Sequence, residues 1–284
     1  MPKARASLRL RRTPTVKAIA SIDKFAQMRE ARRVWAVSAV HGEARRLARV
    51  HDLIGARFIQ GDRLVYLGNY LGYGEEVAAT VDELLDFRRR VLGRSNGFAC
   101  DVVYLRGAQE EMWQKLLQLQ FAPNPGEVLA WMVQAGVDAT VRAYGGDLRQ
   151  GFAATRDGPR TITRWTSALR TAMNAAEGHQ TLFASLRHAA FTSEAGLLFV
   201  HAGIHQRRAL NAQGDAFWWG ASDILELTVP YAGFSRVVRG FDRDRRGVVE
   251  RKFGVSVDGG AGRGGPLQAV CLGADGAIVD FCEG

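Results

Sequence analysis

Between Leu64 and Gly74 the chain reads LVYLGNYLGYG, an apolar run that breaks at a glycine and empties into a polar, glycine-rich turn. The same design recurs at VWAVSAVHGE (Val34 to Glu43), DVVYLRGAQEE (Asp101 to Glu111), LLFVHAGIH (Leu197 to His205) and RVVRGFD (Arg236 to Asp242). Runs of about four β-branched or large apolar residues suit strands buried on both faces. Helical patterns follow most of them. Strands alternating with helices imply a layered α/β core, and such sheets place ligand sites at the carboxyl ends of their strands. The loops that end these five runs are therefore where chemistry is expected.

Composition bounds the rest. A chain of 284 residues, 47% hydrophobic and 24% charged, can bury the core of one large domain. No stretch approaches the roughly 18 uncharged apolar residues of a membrane span, and no apolar signal region follows the basic start. A cytoplasmic protein is expected, or one of an organelle matrix if the source is eukaryotic, because the arginine-rich, acid-free start resembles a transit peptide. Cys100, Cys271 and Cys282 lie on or beside predicted strands without metal-like spacing, which reads as reduced core thiols.

Met1 to Ile22 holds Lys3, Arg5, Arg9, Arg11, Arg12 and Lys17 and no acid. It reads as a basic arm, taken over residues 1–30, either solvated or docked on nucleic acid, an acidic protein face or a membrane surface. Ile22 to Arg33 has a helix-like pattern, with the first core strand at Val34. Glu75 to Gly93 reads as a helix with acid early and base late, matched to its own dipole. Its Arg88, Arg89 and Arg90 read as a solvated end. From about residue 113 to 190 the pattern is helical, broken at Asn124 to Gly126, with Trp113, Trp131 and Trp165 as packing residues. SRVVRG, GVSVDGG, LQAVCLG and AIVDF close the chain as short strands, with hairpin turns such as Gly273 to Gly276.

The five motifs, in this order and spacing, resemble the signature of the calcineurin-like metallophosphoesterase superfamily, nearest the bacterial serine/threonine phosphoprotein phosphatases. That family reads GDxHG, GDxxDRG, RGNHE, a strand ending in HAG, and VVHGHT; here they stand as SAVHG, GNYLGYG, RGAQE, HAG and VVRGFD. WMVQAGVDATVRAYGGD and VSVDGGAGRGGPLQAVCL also resemble family segments, so the likeness runs from about Val34 to the C-terminus. It implies a four-layer α/β/β/α sandwich with a helical cap and, in the family, two metal ions held by six side chains.

The departures fall on the chemistry. Of the metal ligands the resemblance implies, His41 and His201 remain, while the other positions are Ala39, Asn69, Ala108 and Phe241. The general acid is replaced by Gln109, its orienting Asp by Gly72, and the phosphate-gripping arginines by Tyr73 and Ala221. Hard divalent ions need anionic or imidazole donors, so no metal cofactor is expected, and His41 and His201 read as neutral, hydrogen-bonded remnants. His205 reads as a surface residue on a loop, and Asp258 as a turn residue. Arg239 and Arg263 stand where the family has His and Tyr, and Arg106 is kept. These three are candidates for a metal-free anion pocket.

Three functions follow as expectations. The favoured one is a catalytically inert, phosphatase-like scaffold or regulatory subunit that binds a protein partner. The second is a residual metal-dependent phosphoesterase with ligands recruited from Glu110, Asp223 or Asp242. The third is a nucleic-acid-associated protein working through residues 1–22 and a basic surface.

Overall fold

A computed structural model describes residues 24–94, 97–193 and 196–284; residues 1–23, which hold most of the expected arm, lie outside the described residues. The described chain opens on a strand, β1 (Phe25–Met28), where the sequence pattern predicted helix. Only Phe25 and Met28 of these four residues are buried, and the segment is held extended by parallel pairing with a later strand, β5. The folded body thus begins inside the range read as arm.

The next strand, β2 (Arg33–Val37), explains the apolar runs. Val34 and Ala36 face one apolar layer and Trp35 and Val37 the other, so both faces are buried. From β2 the chain crosses through α1 (Ala44–Arg57) to β3 (Asp62–Tyr66), then through α2 (Val77–Leu92) to β4 (Val102–Tyr104). The three strands pair in parallel in that order. A helical series follows: α3 (Ala108–Leu116), α4 (Pro125–Gln134), α5 (Val137–Ala143), α6 (Leu148–Asp157), α7 (Pro159–Ala175) and α8 (His179–Ser185). Adjacent acids on α2 tie it to its neighbours: Glu83 meets His51 of α1, whose other nitrogen meets Tyr66, and Asp82 meets His179 of α8, whose other nitrogen meets Tyr144.

The second half builds the other sheet from β5 (Ala189–Thr192), β6 (Leu197–Val200), β7 (Arg236–Arg239), β8 (Gly247–Glu250) and β9 (Gly254–Asp258), with α9 (Ala216–Trp219) between β6 and β7. The chain then returns to the first sheet as β10 (Gln268–Gly273) and β11 (Ile278–Glu283), joined by the predicted turn. The sheet orders are β11-β10-β2-β3-β4 and β1-β5-β6-β7-β9-β8. The hairpin reading holds for β10–β11, whereas β7 and β9 pair in parallel and the antiparallel partner of β9 is β8, a strand the sequence pattern did not mark.

Val65, Leu67, Val103 and Val270 of one sheet meet Phe199, Val238, Val255 and Val257 of the other to form the inner core. Helices α1 and α2 and the helical series cover the outside of the five-stranded sheet, while α9 and short turns cover the six-stranded one. This is the expected four-layer sandwich, and its carboxyl-end loops converge at one end. Of the thiols, Cys271 and Cys282 are buried, but Cys100 is exposed rather than in the core.

Candidate functional site

The loops after β2 and β3 are knitted together by their backbones. Val40 and His41 both donate N–H to the carbonyl of Asn69, at 3.0 and 2.7 Å, Gly42 donates to Tyr70, and Gly74 donates back to His41. Such tight reversals put His41, Asn69 and Tyr73 in the left-handed region, at φ +54°, +57° and +56°. On the other side, Gly240 and Phe241 both donate to the carbonyl of His201, and Ala39 donates to that of Gly240.

The polar hub of this end is Glu110, on the first turn of α3. One carboxylate oxygen accepts N–H from Gly107 and Asn69, at 2.8 and 2.9 Å; the other accepts from Tyr70 and Leu71, at 2.8 and 3.2 Å. Burial pushes its pKa above the usual carboxylate range, while those same N–H groups pull against the rise by favouring the charged form. Its hydrogen-bonding capacity is spent on the loop, so it is not available as the recruited metal ligand considered above. The sequence carried a signal for this role: a Glu at the third position of a helix that starts at a glycine is placed to accept backbone N–H groups.

Asn69 sits where both of its amide ends are specified. Oδ1 accepts the N–H of Gln109 at 2.9 Å, which turns Nδ2 toward Nε2 of His41, 3.3 Å away. The other ring nitrogen of His41 lies 3.3 Å from the carbonyl of Leu71. A carbonyl can only accept, so His41 carries its proton on Nδ1 and offers Nε2 as a lone pair to the Asn69 amide. Burial, together with His201 and Arg263 nearby, pushes His41 down to about 3. His201 donates from Nδ1 to Leu67 at 2.6 Å, leaving Nε2 buried without a hydrogen-bond partner among the described residues. Burial takes it down to about 4. Both imidazoles are therefore neutral near pH 7.

Phe241 fills the position of the last expected histidine and lies nearly parallel to the His201 ring, with centroids 5.4 Å apart. The loop that carries it is fixed by a closed ring of alternating charges. Arg239 reaches Asp223 and Asp242, each at 3.1 Å, and Arg246 reaches the same two acids at 2.8 and 2.6 Å. Burial works to raise Asp223 and Asp242, but Arg246 and Arg239 outweigh it and hold both below the usual range. Two expectations are corrected here. Arg239 is neutralised and cannot serve as a free anion clamp, and Asp223 and Asp242 are bound to guanidinium groups rather than left to a metal. Asp258 is buried, accepts N–H from Asp242 and Gly260, and is pushed up to about 6 by burial. That is the turn-setting role read from sequence.

The remaining candidates separate. Arg106 is paired with Glu111 at 3.2 Å and bonded to Gln114, so it too is committed away from the cleft. Arg263 lies over the Tyr73 ring, 4.2 Å from its centroid, and donates to the Tyr73 hydroxyl, with no carboxylate partner among the described residues. Tyr73 in turn meets the edge of His41, at 5.0 Å between centroids. Its ring seats on Gly136 of the helical series, where a Cβ would lie 2.7 Å away. Gly72 is required by Gln109, whose side chain occupies the space a Cβ would need and which donates to the Ala135 carbonyl at 2.7 Å. Ala39 and Ala108 are buried methyl groups, Ala221 is exposed, and His205 is half-buried with its ring accepting from the Arg207 backbone. Among the described residues no group of three or more His, Cys, Asp or Glu is placed to hold a metal ion.

No protein-family model matches the chain, and no curated protein matches it. Solved structures do. A "putative diadenosine tetraphosphatase" superposes with a TM-score of 0.54 at 17% identity, over 92% of this chain and 98% of that one. Two structures of a cold-active protein tyrosine phosphatase, the second of them a point mutant, give TM-scores of 0.51 and 0.52 at 14% and 15% identity. They cover 98% and 95% of this chain and 87% and 86% of theirs, respectively. At such identity the likeness is one of fold alone: the two-sheet sandwich is shared with these phosphatase structures.

Proposed function

We propose that this chain keeps a phosphoesterase fold without its hydrolysis and works by binding, as a scaffold or regulatory subunit in a protein complex. The observation that carries the reading is the Asn69 amide. Its N–H occupies the His41 lone pair that a metal ion would need, and its Oδ1 is already bonded to Gln109. The donors left over do not fit a pair of divalent ions. They amount to one buried imidazole lone pair on His201, beside the Phe241 ring and the Ala108 methyl, with every nearby carboxylate engaged by N–H or guanidinium groups. An ion pair that activates water and clamps phosphoryl oxygens has nothing to balance its charge here. Gln109 is an amide held by Ala135, so it cannot deliver a proton to a leaving group. Of the three arginines considered for an anion pocket, only Arg263 remains at the cleft, and any anion held there rests on it.

The test is direct. The protein is purified without chelator, loaded with manganese, zinc or iron and desalted, and its metal content is measured beside turnover of p-nitrophenyl phosphate. Substoichiometric metal and no turnover above buffer are expected; a stoichiometric metal content with turnover overturns the reading. Calorimetric titration with phosphate decides the anion pocket, since saturable heat that disappears in Arg263→Ala would establish it.

A further inference from the structure

The mouth of the cleft has a character that the inert centre does not use. Beside Phe241 opens a cavity of about 420 Å³ lined by Trp219, Ala202, Ala221, Arg243 and Arg246. Trp219 meets Trp131 of α4 edge-on, with centroids 5.7 Å apart, and Trp131 is 48% exposed, an uncommon position for so large an apolar ring. Arg243 lines the cavity with Trp219, and the loops after β6, β7 and β9, which are neighbours in the sheet, also carry Arg207, Arg208, Arg245 and Arg263 at the surface. None of the five forms an ion pair among the described residues. Arg245 also packs against Gly260, which places it beside the loop that bears Arg263. Of the acids lining the cavity, Asp223 and Asp242 are balanced inside the four-charge ring, while Asp244, exposed and 3.9 Å from Arg246, offsets one charge and leaves the rim net positive. The whole chain carries a formal charge of +9, of which six charges lie in Met1 to Ile22.

We propose that this mouth binds single-stranded nucleic acid, with backbone phosphates along the arginine rim and an unpaired base in the cavity against the Trp219–Trp131 pair. A basic track with aromatic faces beside it is how single strands are held without regard to sequence, because every base has a face to stack. A duplex keeps its bases stacked on one another and can place one in a concave cavity only at the energetic cost of unpairing it. An acidic polypeptide would satisfy the arginines equally well but has no use for the tryptophans, and this divides the two partners. The inference does not depend on whether the centre hydrolyses anything.

The experiment uses the full-length chain and fluorescence anisotropy. The probes are a labelled oligothymidine of about twelve nucleotides, within the span such sites cover, the same strand in duplex form, and polyglutamate as competitor. The strand is expected to bind at least tenfold more tightly than the duplex, with affinity falling as salt rises. Arg243→Ala/Arg245→Ala is expected to weaken binding by about tenfold and to lower the log–log salt slope by roughly 1.4, about 0.7 for each single-strand phosphate that is no longer neutralised. Trp131→Ala is expected to weaken it by fivefold or more, the low end of what one stacked base contributes, with the salt slope unchanged. Both variants alter exposed side chains and leave the core intact. Absence of binding, equal affinity for duplex, or unchanged affinity in both variants, which would place binding on residues 1–22 instead, overturns the proposal. So does displacement by polyglutamate together with an inert Trp131→Ala, which would mark the mouth as a surface for acidic polypeptides.

Discussion

Replacing Asn69 with Asp restores the carboxylate that the resemblance implies, and it isolates what the amide does. The new carboxylate keeps the bond from the Gln109 N–H but turns a second oxygen toward Nε2 of His41, 3.3 Å away, where a donor stood before. If His41 stays neutral, two acceptors face each other with no proton between them, in a site where Asn69 is only 1% exposed. If His41 takes a proton, charging an imidazole whose pKa lies at about 3 costs about 5 kcal/mol at pH 7, at about 1.4 kcal/mol per unit. Two unit charges at this separation return about 5 kcal/mol at an effective dielectric of about 20. The pair therefore roughly breaks even, and the uncompensated burial of a carboxylate remains, for a net loss of about 3 kcal/mol. Urea unfolding of the parent and the Asn69→Asp variant at pH 7, with and without about 1 mM manganese, reads this out. The expected result is a lower midpoint with unchanged slope and no effect of manganese on either protein. A micromolar site would return about 4 kcal/mol at that concentration, so an Asn69→Asp protein that manganese lifts to parental stability or above would refute the argument that the remaining donors cannot hold a metal.

Three further outcomes follow from the same geometry. Because His41 and His201 are held neutral, with pKa values of about 3 and 4, their contribution is complete above their ordinary 6.5 and is lost as pH falls from 6.5 toward those values. Asp258, raised to about 6, runs the opposite way and offsets part of the loss. These three groups should together take about 2–4 kcal/mol from stability between pH 7 and pH 5, with His188, taken down to about 4 by burial, adding a loss of the same sign; a urea profile flat over that range would contradict the neutral, buried state assigned to His41 and His201. Glu110→Gln puts an amide NH2 against backbone donors that had an oxygen to meet, and about 3–5 kcal/mol should be lost in the same assay. Gly72→Ala should cost about 1–3 kcal/mol, from its φ of +81° and its collision with Gln109. Adding Gln109→Ala should recover the steric part, so a strictly additive double variant would deny the contact.

Much of the sandwich was legible because its strands are double-faced. Runs such as LVY and LLFV are apolar without interruption, and the glycine that ends each one marks the start of its loop. The strands that escaped notice lack this mark. FAQM of β1 has only two buried residues, AAFT of β5 is small and short, and GVVE of β8 sits at a sheet edge with no residue fully buried. Each takes its shape from a neighbour, and pairing is not written in local sequence. At the site, the identities of Ala39, Asn69, Gln109 and Phe241 could be read in advance, whereas their engagements could not. The ring through Asp223, Arg239, Asp242 and Arg246 joins two loops, and nothing local shows that Arg239 spends its charge there rather than on a ligand.

The carboxylate of Glu110 pins the loop after β3 from within: four inward-pointing N–H groups converge on one negative centre that the chain itself supplies. That centre is covalently part of the chain, so the shape of this loop does not wait on a ligand. Whatever the outer surface recognises meets a loop that is already shaped before it arrives.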